Sequence, residues 1–317
     1  MHISVVIPLL NEVESLPGLI ARLREVLSAL PGKSWELIFV DDGSTDGSID
    51  VIREARDQDP RVRYIRFRRN FGKSDALHAG FAATRGEIVF TMDADLQDDP
   101  KEIPRFLELL ESEGWDLVSG WKKVRHDPLS KTLPSRLFNR VTSWASGVRL
   151  HDFNCGFKCY RRAVVESLDV YGELHRFLPA LAHMMGFRVT EMVVEHHARQ
   201  FGNSKFGLNR FINGFLDLLT VVFTTRYMKK PMHFFGPVSL LFITSGLLIN
   251  GWLAFAKLML DQPINGRPLL FLGMLLLIVG VQLLSLGLLG EMLTRQQQSV
   301  AYKIGECSAD PEDSLEA

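Results

Sequence analysis

The sequence has few cysteines and almost no net charge, and each shortage argues against certain kinds of site or partner. It has three cysteines in 317 residues, Cys155, Cys159 and Cys307. Because their number is odd and they lack the paired spacing of a zinc site, reduced thiols are the simplest interpretation. The 36 basic and 37 acidic side chains nearly cancel, which gives no case for nucleic acid as a partner. The first residues carry no basic region ahead of an apolar stretch, so we expect no secretion signal and a cytoplasmic location before residue 230.

Charged residues are absent from two long stretches near the carboxyl end. Residues 234–256 and 268–290 contain no Asp, Glu, Lys or Arg, and each has the roughly 20 apolar residues that cross a bilayer. A hydrophobic hairpin inside a soluble core is the alternative, but the second stretch is apolar all around a helix. Flanking basic residues outnumber the single Arg267 between the stretches, so the positive-inside rule predicts a multi-pass protein of the cytoplasmic membrane with both termini in the cytoplasm. These residues are Arg226, Lys229, Lys230, Arg295 and Lys303.

Short apolar runs alternate with helical patterns over the first hundred residues. The runs predict strands, and the stretches between them place apolar residues at helical spacing. This alternation predicts an α/β fold with a mostly parallel sheet and helices on both faces, whose ligands bind at the carboxyl ends of the strands. The predicted strands are 3–10, 35–40, 63–67 and 88–92, and the predicted helices are 13–30, a segment ending near 56, and 73–84.

Polar and acidic residues follow three of these strands, at Asn11–Glu12, Asp41–Asp42 and Asp93–Asp95. Acidic clusters at one sheet edge repel one another unless a cation or ligand donors lie between them. In Asp-x-Asp, one carboxylate can hold Mg²⁺ or Mn²⁺ while the other faces a hydroxyl or the metal's water shell. The alternatives are a solvated acidic turn for Asp93–Asp95, and a helix-capping role for Ser44 and Asp46.

Five motifs occur in a characteristic order: VIPLLNE (6–12), DDGSTD (41–46), NFGKSDAL (70–77), DADLQD (93–98) and DFNCGFK (152–158). Together they resemble family 2 glycosyltransferases with the GT-A fold, in particular the polyprenyl-phosphate glycosyltransferases. The resemblance covers roughly residues 3–295. It implies a Rossmann-like GT-A domain over 1–203, juxtamembrane amphipathic helices over 204–232, two transmembrane helices within 233–292, and a partly disordered cytoplasmic tail over 293–317.

The resemblance assigns a donor site to the carboxyl edge of the sheet. Asp42 would accept from the imide N–H of the base, Asp93 would lie near the ribose and diphosphate, and Asp95 and Gln97 would hold Mg²⁺ or Mn²⁺. Lys73 opens a helix where its charge and the helix amino terminus both favour phosphate, although an ordinary solvated lysine is the alternative. The remaining residues that the resemblance places in the nucleotide pocket are Pro8, Asn11, Glu12 and Asp41.

The resemblance makes the acceptor a polyprenyl phosphate. Arginine binds phosphate bidentately, and the positions that match the family's lipid-phosphate contact are Arg136, Arg199 and Lys205; a solvated basic face is the alternative. Asp152 matches the family's catalytic base. Because the second pKa of a phosphate ester is about 6, the acceptor is mostly ionised already, so Asp152 either orients it or takes a proton from the minority monoanion. Family 2 enzymes invert, so an α-linked donor would give a β-linked product.

Two other classes of function use parts of the same pattern. A processive polysaccharide synthase shares the nucleotide-binding half, but its Gln-x-x-Arg-Trp motif does not occur here. The second class is a non-catalytic membrane scaffold that senses nucleotide sugars. Such a scaffold could lose Asp152 freely, so the presence of Asp152 together with Asp93, Asp95 and Gln97 argues against it. For the donor, UDP-glucose is the default expectation, while a UDP-amino-arabinose derivative, UDP-GlcNAc and GDP-mannose stay open. Membrane lipids are expected partners, and the resemblance implies a homotetramer.

Overall fold

The computed structural model of the chain describes residues 2–123, 139–144, 146–168, 170, 174–197, 223, 230–260 and 268–297. They belong to two compact units, residues 1–221 and residues 222–317, and each unit is described by itself. The segment predicted to lie at the membrane surface and the tail fall largely outside the described residues. The predicted domain boundaries therefore stay predictions.

The first unit alternates strands and helices as the sequence predicts. The elements are β1 (Ile3–Leu9), α1 (Leu16–Ser28), β2 (Trp35–Asp41), α2 (Ser48–Gln58), β3 (Val62–Arg66), α3 (Lys73–Ala82), β4 (Ile88–Thr91), a 3₁₀ turn (Pro100–Glu102), α4 (Ile103–Ser112), β5 (Leu117–Trp121), β6 (Lys158–Arg161), α5 (Arg162–Ser167), a second 3₁₀ turn (Leu174–Arg176), α6 (Leu178–Met184) and β7 (Val189–Val193). Residues 139–144 are also helical.

The seven strands form one sheet in the order β3-β2-β1-β4-β6-β5-β7. β6 runs antiparallel to its neighbours β4 and β5, and the other four strand pairs are parallel. The predicted mostly parallel α/β sheet is therefore confirmed. β1, β2 and β4 are adjacent, so their carboxyl ends meet at one edge, as ligand binding to this kind of sheet requires.

Apolar side chains fill both faces of the sheet. On one face, Leu23 of α1 and Phe106 of α4 belong to a cluster with Ile7 of β1. On the other face, Phe81 of α3 and Val164 of α5 pack with residues of the same central strands. Helices thus cover both faces of the sheet whose edge carries the polar loops. Cys155 and Cys159 are buried free thiols.

The second unit contains two long apolar helices, α7 (Met232–Leu260) and α8 (Pro268–Gln297). Both are long and apolar enough to cross a membrane, and only 17% and 11% of an apolar 18-residue stretch within each helix is buried in the structure. A core hairpin would be mostly buried, so these exposed apolar surfaces suggest a membrane protein.

Glycines bring α7 and α8 close together. Gly273, Gly280 and Gly287 of α8 are spaced seven residues apart and so share one helix face. A Cβ on Gly280 would lie 2.6 Å from Ile243, and one on Gly273 would lie 2.7 Å from Asn250. Small residues at these positions let the helix backbones approach, which is how apolar helices gain packing energy in lipid.

Candidate active site

Side chains of the loop after β2 hold the backbone of the loop after β1. Asn11 has a left-handed backbone, with φ 58°. Its Oδ1 accepts from the N–H of Thr45 at 2.9 Å, and its own N–H donates to Ser44 Oγ at 2.9 Å. The next two N–H groups donate to Ser48 Oγ and to the Asp46 carboxylate. Ser44 and Asp46 therefore join the two loops and fix their positions, which is more than a capping role.

Asp42 ties the loop before α3 to the end of β2. Its Oδ1 accepts from the N–H of Phe71 at 2.7 Å and its Oδ2 from the N–H of Gly72 at 2.9 Å. Gly72 has φ 103° and directly precedes Lys73, the first residue of α3. The carboxylate that the resemblance assigns to the base thus also places Lys73.

Asp41 is turned into the protein. Its side chain is 0% exposed and accepts from the N–H of Ser44 at 2.8 Å, and Arg66 Nε lies 3.5 Å from its other oxygen. Asp41 does not line the cavities described below, so a contact between Asp41 and the donor stays a prediction.

Asp93 and Lys73 form an ion pair at the centre of the site, with 2.5 Å between Nζ and Oδ1. A Cβ on Gly156 would lie 2.5 to 2.6 Å from the carboxyl atoms of Asp93. Any residue larger than glycine at this position would therefore clash with the Asp93 carboxylate. Burial alone raises the pKa of Asp93, but the charges of Lys73, Lys122 and Lys158 outweigh burial and hold that pKa below its ordinary value. Asp93 is therefore ionised at neutral pH.

The loop after Asp93 offers hard oxygen atoms. Asp95 is 9% exposed, and its Oδ1 accepts from the N–H of Gln97 at 3.2 Å. Leu96 has φ 59°, a left-handed conformation that is uncommon for leucine and that turns the chain sharply. The side-chain amide of Gln97 donates to the carbonyl oxygen of His197 at 3.5 Å. A carboxylate and a carboxamide suit Mg²⁺ or Mn²⁺, so this donor set fits the predicted metal.

A second group of metal-type ligands lies next to this loop and was not predicted. The ligand atoms of Asp99, Glu195 and His197 all lie within 4.8 Å of one another. His197 Nε2 is 3.3 Å from Asp99 Oδ2, and the His197 N–H donates to the carbonyl of Gln97 at 2.9 Å. Because β7 brings Glu195 and His197 here from a hundred residues away, sequence spacing gives no signal for this group.

An open cleft of ≈ 310 Å³ lies at the carboxyl edge of β1, β2 and β4. Its walls contain most of the predicted donor-site residues, whereas Asn11, Asp41 and Gln97 are outside its lining. The predicted residues that line it are Pro8, Glu12, Asp42, Lys73, Asp93 and Asp95.

A narrower chamber of ≈ 20 Å³ adjoins this cleft and shares Pro8, Lys73 and Asp93 with it. Two of its polar lining residues, Lys158 and Arg176, come from β6 and the second 3₁₀ turn. Neither was predicted to have a role. The available sequence signal for Lys158 was its place as the last residue of the DFNCGFK motif, and no local signal marks Arg176.

Burial lowers the pKa of two chamber side chains. Lys158 is 3% exposed and donates to the carbonyl oxygen of Cys155; burial lowers its pKa. His175 Nδ1 lies 2.9 Å from Ser74 Oγ. Burial, with the nearby charges of Lys73 and Arg176, lowers the pKa of His175 to about 3. His175 is therefore neutral at physiological pH.

Asp152 lies beside the chamber without lining it. It is 1% exposed, and its Oδ1 accepts from the N–H of Asn154, a chamber residue, at 3.0 Å. The preceding His151 stacks on Trp121, with 4.1 Å between ring centroids, and contacts the Glu191 carboxylate through Nδ1. These contacts fix the loop that carries Asp152. Arg136, Arg199 and Lys205, the predicted lipid-phosphate residues, lie outside the described residues.

The fold and the site define a class of protein. A mixed sheet whose carboxyl edge carries an acidic loop, a half-buried lysine–aspartate pair and an open cleft is the architecture of a GT-A glycosyltransferase. The chain belongs to glycosyl transferase family 2, whose sequence profile matches residues 4–169.

Two relatives match nearly the whole chain. A dodecaprenyl-phosphate galacturonate synthase of Rhizobium johnstonii is 40% identical over 299 residues, covering 93% of this chain and 88% of the relative. An undecaprenyl-phosphate 4-deoxy-4-formamido-L-arabinose transferase of Yersinia pestis is 37% identical over 294 residues, covering 92% and 88%. The chain is therefore an enzyme, a glycosyltransferase, and the resemblance to polyprenyl-phosphate glycosyltransferases is confirmed.

Solved structures of glucosyl-3-phosphoglycerate synthase from Mycobacterium tuberculosis share the fold. The complex with phosphoglyceric acid has a TM-score of 0.55 and 22% identity, over 71% of this chain and 79% of that chain. The complex with Mn²⁺ and UDP-glucose has a TM-score of 0.53 and 22% identity, over 71% and 78%. The GT-A fold expected from the motifs is confirmed.

Proposed function

We propose that this protein transfers a sugar from a nucleotide sugar to a polyprenyl phosphate at the cytoplasmic face of a membrane. The observation that carries the proposal is the cleft in which Asp93, Asp95 and Lys73 meet at the carboxyl edge of the sheet. Both relatives are named as polyprenyl-phosphate enzymes, and the apolar helices α7 and α8 give the chain a means of reaching a lipid acceptor.

The reaction is a displacement at the anomeric carbon. An acceptor phosphate oxygen forms the new bond to this carbon, while the bond to the donor diphosphate breaks and the nucleoside diphosphate leaves with the electron pair. Attack from the opposite face inverts the configuration. Asp152 orients the acceptor, or takes the proton of the monoanion, and Arg136, Arg199 and Lys205 bind the lipid phosphate. Positioning and charge stabilisation supply most of the rate.

The chain's own residues hold the donor. Pro8, Glu12 and Asp42 line the nucleotide end of the cleft, and Lys73 places a positive charge next to the diphosphate. Asp95 and Gln97 would hold Mg²⁺ or Mn²⁺, with Asp99, Glu195 and His197 as the adjacent ligand group. The metal, when bound, neutralises charge on the leaving diphosphate. Asn11 and Asp41 support this end of the site through the loop contacts described above.

The donor sugar, the topology and the assembly state complete the proposal. UDP-glucose is the starting donor; one relative's name supports the UDP-amino-arabinose derivative already expected as an alternative, and the other adds a galacturonate. GDP-mannose and UDP-GlcNAc complete the panel of donors. The membrane topology places both termini in the cytoplasm, and the assembly is a homotetramer.

The test is transfer by the purified full-length protein. We expect one of the donors, with undecaprenyl phosphate and Mg²⁺ or Mn²⁺, to yield a glycolipid that mass spectrometry detects. NMR of this product should show that the anomeric configuration of the donor has been inverted. Asp95→Ala should abolish transfer, whereas Asp50→Ala, a matched change at a side chain 72% exposed on α2, should not. UDP binding without transfer from any donor would contradict the proposal and favour a scaffold.

A further inference from the structure

The loop that carries Asp152 is attached to the rest of the first unit on both sides of that residue. The N–H of His151 donates to Glu191 Oε2 at 2.7 Å, and the His151 ring stacks on Trp121. Phe153 is fully buried in an apolar cluster. His151 and Phe153 are therefore each fixed by a different part of the fold.

One buried side chain bonds to the backbone on both sides of Asp152. Asn139, which is 6% exposed, donates from Nδ2 to the carbonyl oxygen of His151 at 2.7 Å. Its Oδ1 accepts from the N–H of Phe153 at 3.5 Å. The first bond is short and the second is long, so the first supplies most of the attachment. A carboxamide has both the donor and the acceptor that these two contacts need.

These two contacts act on the backbone torsions of Asp152. The carbonyl of His151 belongs to the peptide group before Asp152, and the N–H of Phe153 belongs to the peptide group after it. Because peptide groups are planar, their orientations set φ and ψ of Asp152 and so the direction of its side chain. Asp152 Oδ1 in turn accepts from the N–H of Asn154 at 3.0 Å, and Asn154 lines the chamber beside the donor cleft. The contacts of Asn139 therefore orient Asp152 towards the reacting groups.

We propose that Asn139 is a positioning residue for Asp152: its carboxamide holds the backbone on both sides of Asp152, so that the carboxylate meets the acceptor phosphate in the productive orientation. The inference rests on the proposed function, which gives Asp152 its role at the acceptor, and it adds a residue to that site. Asn139 acts through Asp152 rather than on the substrates. Its contribution appears in kcat and not in KM for the donor, because Pro8, Asp42 and Lys73 hold the donor from other loops.

The first experiment compares wild type, Asn139→Ala and Asn139→Asp as full-length proteins, with undecaprenyl phosphate and the donor that the wild type uses. In Asn139→Ala we expect kcat to fall about 10- to 100-fold with KM for the donor unchanged, since a displacement on the order of 1 Å at a reacting group costs up to ~100-fold in rate. Asn139→Asp keeps the size of the side chain, but an ionised carboxylate repels the His151 carbonyl. A protonated carboxyl donates to that carbonyl again, so kcat of Asn139→Asp relative to wild type should rise as the pH is lowered.

Two further variants separate positioning from a general effect on folding. If Asn139 acts through Asp152, Asn139→Ala should cause no further loss of kcat in an Asp152→Ala background. Ser143→Ala is the matched control, because Ser143 Oγ bonds to the carbonyl and the N–H of Leu150 at 3.1 and 3.3 Å, in the same loop but not beside Asp152. This variant should lower the thermal unfolding midpoint and leave kcat unchanged. Asn139→Asp tests the inference even if Asn139→Ala fails to fold.

Three results would overturn the inference while leaving sugar transfer intact. Wild-type kcat in the folded Asn139 variants would show that these contacts do not position Asp152. An equal loss of kcat from Asn139→Ala with and without the Asp152 carboxylate would assign Asn139 to the fold alone. Wild-type kcat in Asp152→Ala would remove the role on which the inference rests. Absence of transfer by the wild type from every donor would instead refute the proposed function, and the inference with it.

Discussion

The contact between Gly156 and Asp93 gives the sharpest prediction about the site. A Cβ at position 156 would lie 2.5 Å from Asp93 Oδ2 and 2.6 Å from both Cγ and Oδ1. Ordinary contacts of this kind are about 3.4 Å or longer, so in Gly156→Ala the carboxylate has to move by about 1 Å. Asp93 cannot move freely, because Lys73 holds it at 2.5 Å. The substitution therefore disturbs the ion pair at the centre of the site.

The expected effect is large on activity and moderate on stability. A displacement of about 1 Å at a reacting centre costs on the order of 100-fold in rate, which corresponds to ~2.7 kcal/mol of transition-state stabilisation. Overpacking of a closely packed site costs about 1–3 kcal/mol of folding free energy. Gly156→Ala should thus lower kcat/KM about 100-fold and lower the thermal unfolding midpoint by several degrees.

The assay measures transfer kinetics and thermal unfolding for four proteins: wild type, Gly156→Ala, Asp93→Ala and the double variant. If Gly156 acts through Asp93, the double variant should be no slower than Asp93→Ala alone, because the clash no longer has a target. Gly18→Ala is the matched control, since its Cβ would meet only Leu96 at an ordinary 3.5 Å. Wild-type kcat/KM in Gly156→Ala, or additive losses in the double variant, would refute the reasoning.

Three further predictions concern other parts of the chain. Asp42→Ala removes the acceptor of two backbone N–H bonds at 2.7 and 2.9 Å; it should raise KM for the donor and cost about 2–3 kcal/mol of stability by denaturant titration, and a variant of unchanged KM would disprove this role. His175 has a folded-state pKa of about 3, below the ordinary 6.5, so its contribution to stability is present above pH 6.5 and is lost as the pH falls. Between pH 6.5 and 5 the free energy of unfolding of the wild type should therefore fall by up to ~1.4 kcal/mol per pH unit more than that of His175→Gln. Melting profiles that change with pH in parallel for the two proteins would contradict the assignment. Gly280→Leu should separate α7 from α8 and lower the unfolding midpoint in detergent, whereas Gly251→Leu, where no atom lies within 4 Å of a new Cβ, should not; equal midpoints would exclude the glycine-mediated packing.

Local patterns in the sequence were sufficient to predict much of this protein. Apolar runs bounded by polar turns located β1, β2, β3 and β4 to within a residue or two, because strand and helix periods are properties of neighbouring residues. The same reasoning placed Asp42, Asp93 and Asp95 at one edge, since parallel strands with helical crossovers must bring their carboxyl ends together. Absence of charge identified the two apolar helices.

Contacts between distant segments decided the rest. β6 enters the sheet between β4 and β5 in the antiparallel direction, which sets Gly156 against Asp93 and buries Lys158. His175 reaches Ser74, a residue 101 positions earlier, and His197 reaches Asp99 across 98 positions. No local period encodes such pairings, because they depend on the packing of whole elements. The sequence alone determined the α/β architecture, the apolar helices and the acidic loop; the tertiary structure alone decided which cations and which glycine surround that loop, since charge balance and close packing are settled only when separate elements meet.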